Sequence, residues 1–248
     1  QMCIRDREDD VCGLEYLKSL TVSAYGLSAI SDNLVLLGDR LETLDLSSNN
    51  FNSVPSIITK ENFPKLKSLN LIGNRRSVIS DLRNAKDPVK YPDGIGLFFN
   101  TKDDNTLRRL FMWDNLEELR LSYNFIEGTL PDFEIGVDGV TGYSQADVEA
   151  FGGDTIQYLV NEGAHIPKIL PKMRKLSVNL NFFTGNLPEW VLYHPHLIEW
   201  DPEVLIYNQM EKGLNSEGKM VRFDNEPTNF DKYFEAFPKF KEKYELKD

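Results

Sequence analysis

Cysteine is nearly missing from this chain, with two in 248 residues, Cys3 and Cys12, so a disulfide framework is excluded as the main source of stability. Histidine is scarce as well, with three residues, His165, His194 and His196, and none stands at a spacing typical of structural or hydrolytic zinc. No apolar run approaches the roughly 20 residues that a membrane-spanning helix needs. There is no Asn-x-Ser/Thr acceptor for N-glycosylation. A Gly-Lys-Ser phosphate loop, a Gly-x-Ser-x-Gly elbow and a paired-carboxylate context are all lacking, and pairs such as Asp9-Asp10 and Asp103-Asp104 read as solvated loop charges. Positive charge is in deficit: 28 Lys and Arg face 39 Asp and Glu, for a net charge of -11. An acidic surface of this kind argues against nucleic acid and anionic membranes as partners, because both require a positive field. With 41% hydrophobic and 27% charged residues, the composition is that of a folded chain.

What the chain has in abundance is a repeated spelling, L-x-x-L-x-L-x-x-N-x-(L/F). The clearest copies are Leu41-Glu-Thr-Leu44-Asp-Leu46-Ser-Ser-Asn49-Asn-Phe51, Leu66-Lys-Ser-Leu69-Asn-Leu71-Ile-Gly-Asn74, Leu116-Glu-Glu-Leu119-Arg-Leu121-Ser-Tyr-Asn124-Phe-Ile126 and Met173-Arg-Lys-Leu176-Ser-Val178-Asn-Leu-Asn181-Phe-Phe183. A further copy, Leu17-Lys-Ser-Leu20-Thr-Val22-Ser-Ala-Tyr25-Gly-Leu27, carries Tyr in place of Asn. The second leucines Leu20, Leu44 and Leu69 are 24 and 25 residues apart, one turn of a solenoid each. Leu119 follows after 50 residues and Leu176 after 57, so the first interval hides a degenerate repeat or an insertion and the second is too long for two regular turns. A sixth, worn repeat is expected at Leu197-Ile-Glu-Trp200-Asp-Pro202.

In L-x-x-L-x-L the side chains alternate across a short parallel strand, which sends the leucines inward and the intervening residues to the concave sheet face. Asn49, Asn74, Asn124 and Asn181 fall where the chain leaves each strand, and their amides are expected to form an internal ladder that satisfies backbone groups of the turns. The outward positions run from small and polar to larger and charged along the chain: Ser19, Thr21 and Ser23; Thr43, Asp45 and Ser47; Ser68, Asn70 and Ile72; Glu118, Arg120, Ser122 and Tyr123; Lys175, Ser177 and Asn179; Glu199 and Asp201. Asp45, Asn70, Glu118, Arg120, Ser122, Tyr123, Lys175 and Asn179 are the candidate binding residues, with Arg120 and Tyr123 as anchors, since Arg and aromatic side chains supply most interface energy.

This frame resembles the leucine-rich-repeat family, and its continuation in Gly128-Thr-Leu130-Pro131 and Gly185-Asn-Leu187-Pro188 resembles the plant-type class of that family. The ending Leu187-Pro-Glu-Trp190-Val-Leu-Tyr193-His-Pro-His196 and the later Tyr207-Asn-Gln209 resemble secreted or surface-anchored repeat proteins of Bacteroides-type gut bacteria. The resemblance implies an α/β solenoid, a horseshoe with a parallel concave sheet and an irregular convex side. It also implies an exported bacterial protein, secreted or on the outer cell surface, that recognises a protein or an extracellular polysaccharide without catalysis and without a cofactor. A structural spacer for an upstream domain is the alternative. A metal-dependent hydrolase would require His194 and His196, with Glu199 and Asp201 nearby, to converge on an ion; in the bacterial family this stretch looks like a convex turn.

Two segments break the rhythm, near 75–115 and 132–167, and are expected as insertions in a repeat domain of residues 8–212. In the first, the plain reading packs Leu97 and Phe98 inside as one worn repeat. The second holds a short helix candidate from Ser144 to Phe151. Projecting loops of this size often carry recognition. Residues 1–7, Gln-Met-Cys-Ile-Arg-Asp-Arg, resemble a translated sequencing adapter, which leads to the expectation of a fragment lacking its natural N-terminus and any lipid-anchoring cysteine there. Cys12 then stands alone, as a small buried residue. The aromatic tail 213–248, with Asn215-Ser-Glu-Gly218 as a turn signal and Met220–Phe223 as a strand candidate, is expected to cap the solenoid end.

Overall fold

A computed structural model describes residues 15–51, 53–74, 106–124, 126–130, 170–186, 188, 209–210 and 220–221. Five short strands, β1 (Ser19–Thr21), β2 (Thr43–Asp45), β3 (Ser68–Asn70), β4 (Glu118–Arg120) and β6 (Lys175–Ser177), form one parallel sheet in the order β1-β2-β3-β4-β6. The register aligns Leu20, Leu44, Leu69, Leu119 and Leu176 as direct neighbours. Each strand is the x-L-x centre of one repeat copy, around its second leucine, and the 24- and 25-residue periods deliver successive copies to the same height.

The long intervals are resolved by the pairing. Strand β3 is bonded directly to β4, and β4 directly to β6, so neither interval contributes a strand of its own to this sheet. Two regular turns between Leu69 and Leu119 would have placed an extra strand between them. The chain enters the adjacent position after α1 (Thr106–Phe111). Leu97, Phe98 and the second insertion, 132–167, lie outside the described residues.

Behind the sheet the buried side chains repeat with it. Leu41, Leu66, Leu116 and Met173 are fully buried, as are Leu44, Leu69 and Leu119 in the next column, with Leu176 at 2% exposure. Leu46, Leu71, Leu121 and Val178 form a third column, and Phe51, Ile126 and Phe183 close the turn. Burying a side chain of this size stabilises by roughly 1.5–3 kcal/mol. In the first repeat the equivalents Leu17, Leu20, Val22 and Leu27 are only partly buried, since β1 forms the sheet edge.

The connections opposite the sheet are irregular. A 3-10 helix, Asp32–Leu37, is capped by Ser31, whose hydroxyl accepts from Asn33 N at 3.2 Å, and buries Leu34 and Leu37. Helix α1 does the equivalent with Leu107, Leu110 and Phe111. Glycines Gly128 (φ 91°) and Gly185 (φ 79°) allow the backbone to turn after the plant-type motif. There β5 (Glu127–Gly128) and β7 (Phe182–Phe183) add a second, two-stranded parallel sheet. Near the end of the chain, β8 (Gln209–Met210) pairs antiparallel with β9 (Met220–Val221). No described helix is long and apolar enough to cross a membrane.

Candidate functional site

Because the strands share one register, residues at equal offsets from the central leucine form rows across the sheet. Two positions before it the row reads Lys18, Glu42, Lys67, Glu117 and Arg174, an alternation of charge. Backbone bonds stitch it together: Glu42 N donates to Lys18 O, Lys67 N to Glu42 O, Glu117 N to Lys67 O and Arg174 N to Glu117 O, at 2.7–2.8 Å. The Glu42 carboxylate bridges Lys67 and Lys18, each at 2.9 Å. Hydrogen bonding from Lys67, then from Lys18, pulls its pKa from 4.5 down to about 2, and the same contact raises the Lys67 ammonium. Sequence reasoning missed this row because the repeat frame leaves its position unspecified; the signal was there once the copies were written under one another.

The candidate binding residues occupy the neighbouring rows. Asp45 Oδ1 accepts from Ser47 N at 2.9 Å, and its Oδ2 accepts from Asn70 Nδ2 at 3.0 Å. Asn70 Oδ1 in turn accepts from Ile72 N at 3.1 Å, so both side chains brace the exit of their own strand. Glu118 Oε2 accepts from Arg120 Nη2 at 3.0 Å and from Ser68 Oγ at 3.5 Å. Arg120 is one-third exposed, and its Nε has no acceptor. Lys175, directly opposite Glu118 in register, is exposed and has no ion-pair partner among the described residues.

Three of the positions read as outward are closed to solvent. Ser122 is 7% exposed because its hydroxyl donates to Asn179 Oδ1 across the strands, and Ser47 and Ser177 are buried too. Short side chains sink below their longer neighbours, so alternation along a strand does not by itself give access. Tyr123 stands at the turn after β4, half-buried, with φ 64°. It belongs to a row of left-handed residues, Ala24, Ser48, Gly73, Tyr123 and Leu180, with φ between 57° and 66°.

The four asparagines are fully buried directly behind that row. Asn49 Oδ1 accepts from Tyr25 N and Leu27 N, both at 3.1 Å, while its Nδ2 donates to Val22 O at 2.6 Å and Leu46 O at 3.0 Å. Asn74 N donates to Asn124 Oδ1 and Asn124 N to Asn181 Oδ1, each at 2.9 Å, so side chain and backbone alternate through the stack. These groups use their capacity internally and offer nothing to a ligand.

His165, His194, His196, Glu199, Asp201 and Cys12 lie outside the described residues, and among the described residues no group of three His, Cys, Asp or Glu is placed to hold a metal ion. The sheet face is predominantly polar among the described residues. It has a small, neutral side at β1 and a charged side at β4 and β6, where Glu118, Arg120 and Lys175 gather.

The family described as Leucine Rich Repeat matches residues 40–60 and 115–133, which contain β2 with Asn49 and β4 with Asn124. A search of curated proteins finds no match to the chain. The two family matches and the parallel sheet support a leucine-rich-repeat protein of α/β solenoid type. Such domains generally mediate protein binding, and the family is typically non-enzymatic.

Proposed function

We propose that this leucine-rich-repeat protein is a non-catalytic recognition module that binds a protein partner across the polar face of its five-stranded sheet. In this reading the sheet lines the concave side of a horseshoe. The observation that carries the reading is the fixed state of the charged side chains: Asp45 is held by Asn70, Glu118 by Arg120 and Glu42 by two lysines before any partner arrives. A surface ordered in advance loses less conformational entropy on binding, and that saving appears as affinity. Arg120, one-third exposed, and Tyr123 are the anchors. The setting is extracellular: an exported bacterial protein, held at the cell surface or released.

The test measures binding of a panel of purified extracellular proteins and polysaccharides to the wild-type chain and to the Arg120→Ala, Tyr123→Ala double variant by surface plasmon resonance. A protein ligand bound by the wild type and weakened about 100-fold in the double variant, the loss of two anchors of at least about 1.4 kcal/mol each, supports the reading. Equal binding by both removes the sheet face as the site. Binding of polysaccharides alone reassigns the partner class.

A further inference from the structure

The sheet has an open side at β1, which pairs with β2 and with no other strand among the described residues. The apolar side chains that the later turns bury are only half-covered here: Leu17, Leu20, Val22, Leu27 and Ile30. The large hydrophobic side chains exposed among the described residues also belong to this first turn and its connection, namely Tyr16 at 90%, Tyr25 at 63%, Val35 and Leu36. Another asparagine turn is not what this end is built to receive. Each ladder asparagine accepts from the turn before it: Asn49 from Tyr25 N, Asn74 from Phe51 N, Asn124 from Asn74 N and Asn181 from Asn124 N. Tyr25, at the first ladder position, has no amide to offer a preceding turn and is mostly exposed.

The direction of the backbone groups along this edge follows from the bonds on its other side. Val22 N donates to Asp45 O at 2.8 Å and Ala24 N to Ser47 O at 3.1 Å, while Lys18 O accepts from Glu42 N at 2.7 Å, so the even-numbered residues face β2. By alternation, the N–H and C=O groups of Ser19, Thr21 and Ser23 face the open side. Edge strands are commonly guarded by a charge or a proline. Neither stands between Ser19 and Ser23, and the adjacent cation, Lys18, is drawn toward β2, with its Nζ 2.9 Å from Glu42 Oε1. A chain of net charge -11 repels its own copies, so they approach most easily along an uncharged strand.

We infer that β1 pairs antiparallel with β1 of a second copy of this chain, about a two-fold axis at Thr21. In this register Thr21 faces the second copy's Thr21 and exchanges both N–H···O bonds with it, Ser19 faces Ser23, and Leu20 faces Val22 on the core side. Apolar side chains then meet inward and hydroxyls meet outward, the pairings that stabilise adjacent strands. The half-covered Leu20 and Val22 of each copy are closed off by those of the other, and the two sheets become continuous. Strands β2 and β3 separate this edge from Arg120 on β4, so the inference is independent of the proposed protein partner.

The experiment is sedimentation velocity of the full chain across a concentration series, with circular dichroism as the control for folding. The expected result is a mass approaching twice that of one chain by about 100 µM. Thr21→Lys sets two ammonium groups opposite each other on the axis and is expected to weaken the dimer at least about fivefold, and Thr21→Glu does the same with two carboxylates. Both variants keep the fold, because Thr21 is exposed and its N–H faces away from β2. An equimolar mixture of Thr21→Lys and Thr21→Glu restores the dimer, a rescue that requires position 21 of one copy to face position 21 of the other. A wild type that stays monomeric up to about 100 µM overturns the inference, because the edge is then closed within one chain or too weak to pair. A dimer equally strong in Thr21→Lys overturns β1 as the interface, and variants weakened singly but not restored in the mixture overturn the two-fold register.

Discussion

Replacing Asn49 by alanine tests whether the buried asparagine stack, rather than the leucines alone, holds the turns together. The side chain accepts from Tyr25 N and Leu27 N and donates to Val22 O, Leu46 O and, at 3.3 Å, Ser47 O. Ser47 O keeps a second donor in Ala24 N at 3.1 Å. Truncation therefore removes the acceptor of two part-buried backbone N–H groups in the neighbouring turn and weakens two carbonyls. At about 1–2 kcal/mol for each orphaned donor, the expected loss is about 2–4 kcal/mol, a large share of the stability of an ordinary domain. Urea unfolding followed by tryptophan fluorescence reads this as a fall in midpoint at unchanged slope. Asn49→Asp sharpens the test: it keeps the acceptor but presents a carboxylate oxygen to Val22 O, where an amide donor stood at 2.6 Å. It is expected to destabilise at neutral pH at least as much as alanine does. A loss below about 1 kcal/mol in Asn49→Ala, or an aspartate variant as stable as wild type, would refute the assignment.

Glu42 should title the acid limb of stability toward its own loss: its carboxylate, near 4.5 when unfolded and about 2 when folded, contributes fully above pH 4.5 and loses its contribution as pH falls toward 2, so Glu42→Gln should flatten stability over that window in acid titrations followed by circular dichroism. Gly38→Ala should cost about 3 kcal/mol in chemical denaturation, because its φ of -56° suits alanine but the added carbon meets Asn62 O at 1.8 Å. Gly73→Ala should cost about 1 kcal/mol for the opposite reason, with open space, the nearest atom being Ser48 Oγ at 3.7 Å, but a φ of +66°. Ser48→Gly, at φ 57° in the same row, should stabilise by up to about 1 kcal/mol in the same assay.

The sheet was legible in the sequence because its period is written in large apolar residues. Leu44, Leu69, Leu119 and Leu176 can be aligned without coordinates, and the alignment is the register. The path between Leu69 and Leu119 was not legible, since 50 residues equal two turns by arithmetic and only the direct β3 to β4 pairing excludes a strand between them. Access was misread where side chains are short: Ser122 alternates outward in sequence yet is closed off by Asn179. The left-handed row was invisible, because Gly73 is its only glycine among Ala24, Ser48, Tyr123 and Leu180. Nothing in the spelling joined Lys60 to Asp114, which meet only because two connections of unlike sequence are stacked.

These unlike legibilities have a common cause in the division of labour within each turn. Inward positions must suit the same neighbours above and below, so every copy repeats them and the pattern announces itself. Outward positions answer to one or two neighbours, on the next strand or on their own, and that partner changes along the sheet: Asn70 for Asp45, Arg120 on its own strand for Glu118, Asn179 for Ser122. A row of such private pairings is compatible with one backbone and with many different surfaces. The fold therefore leaves surface chemistry to the rows, and the pairs that hold Asp45 and Glu118 can change without disturbing the leucines beneath them.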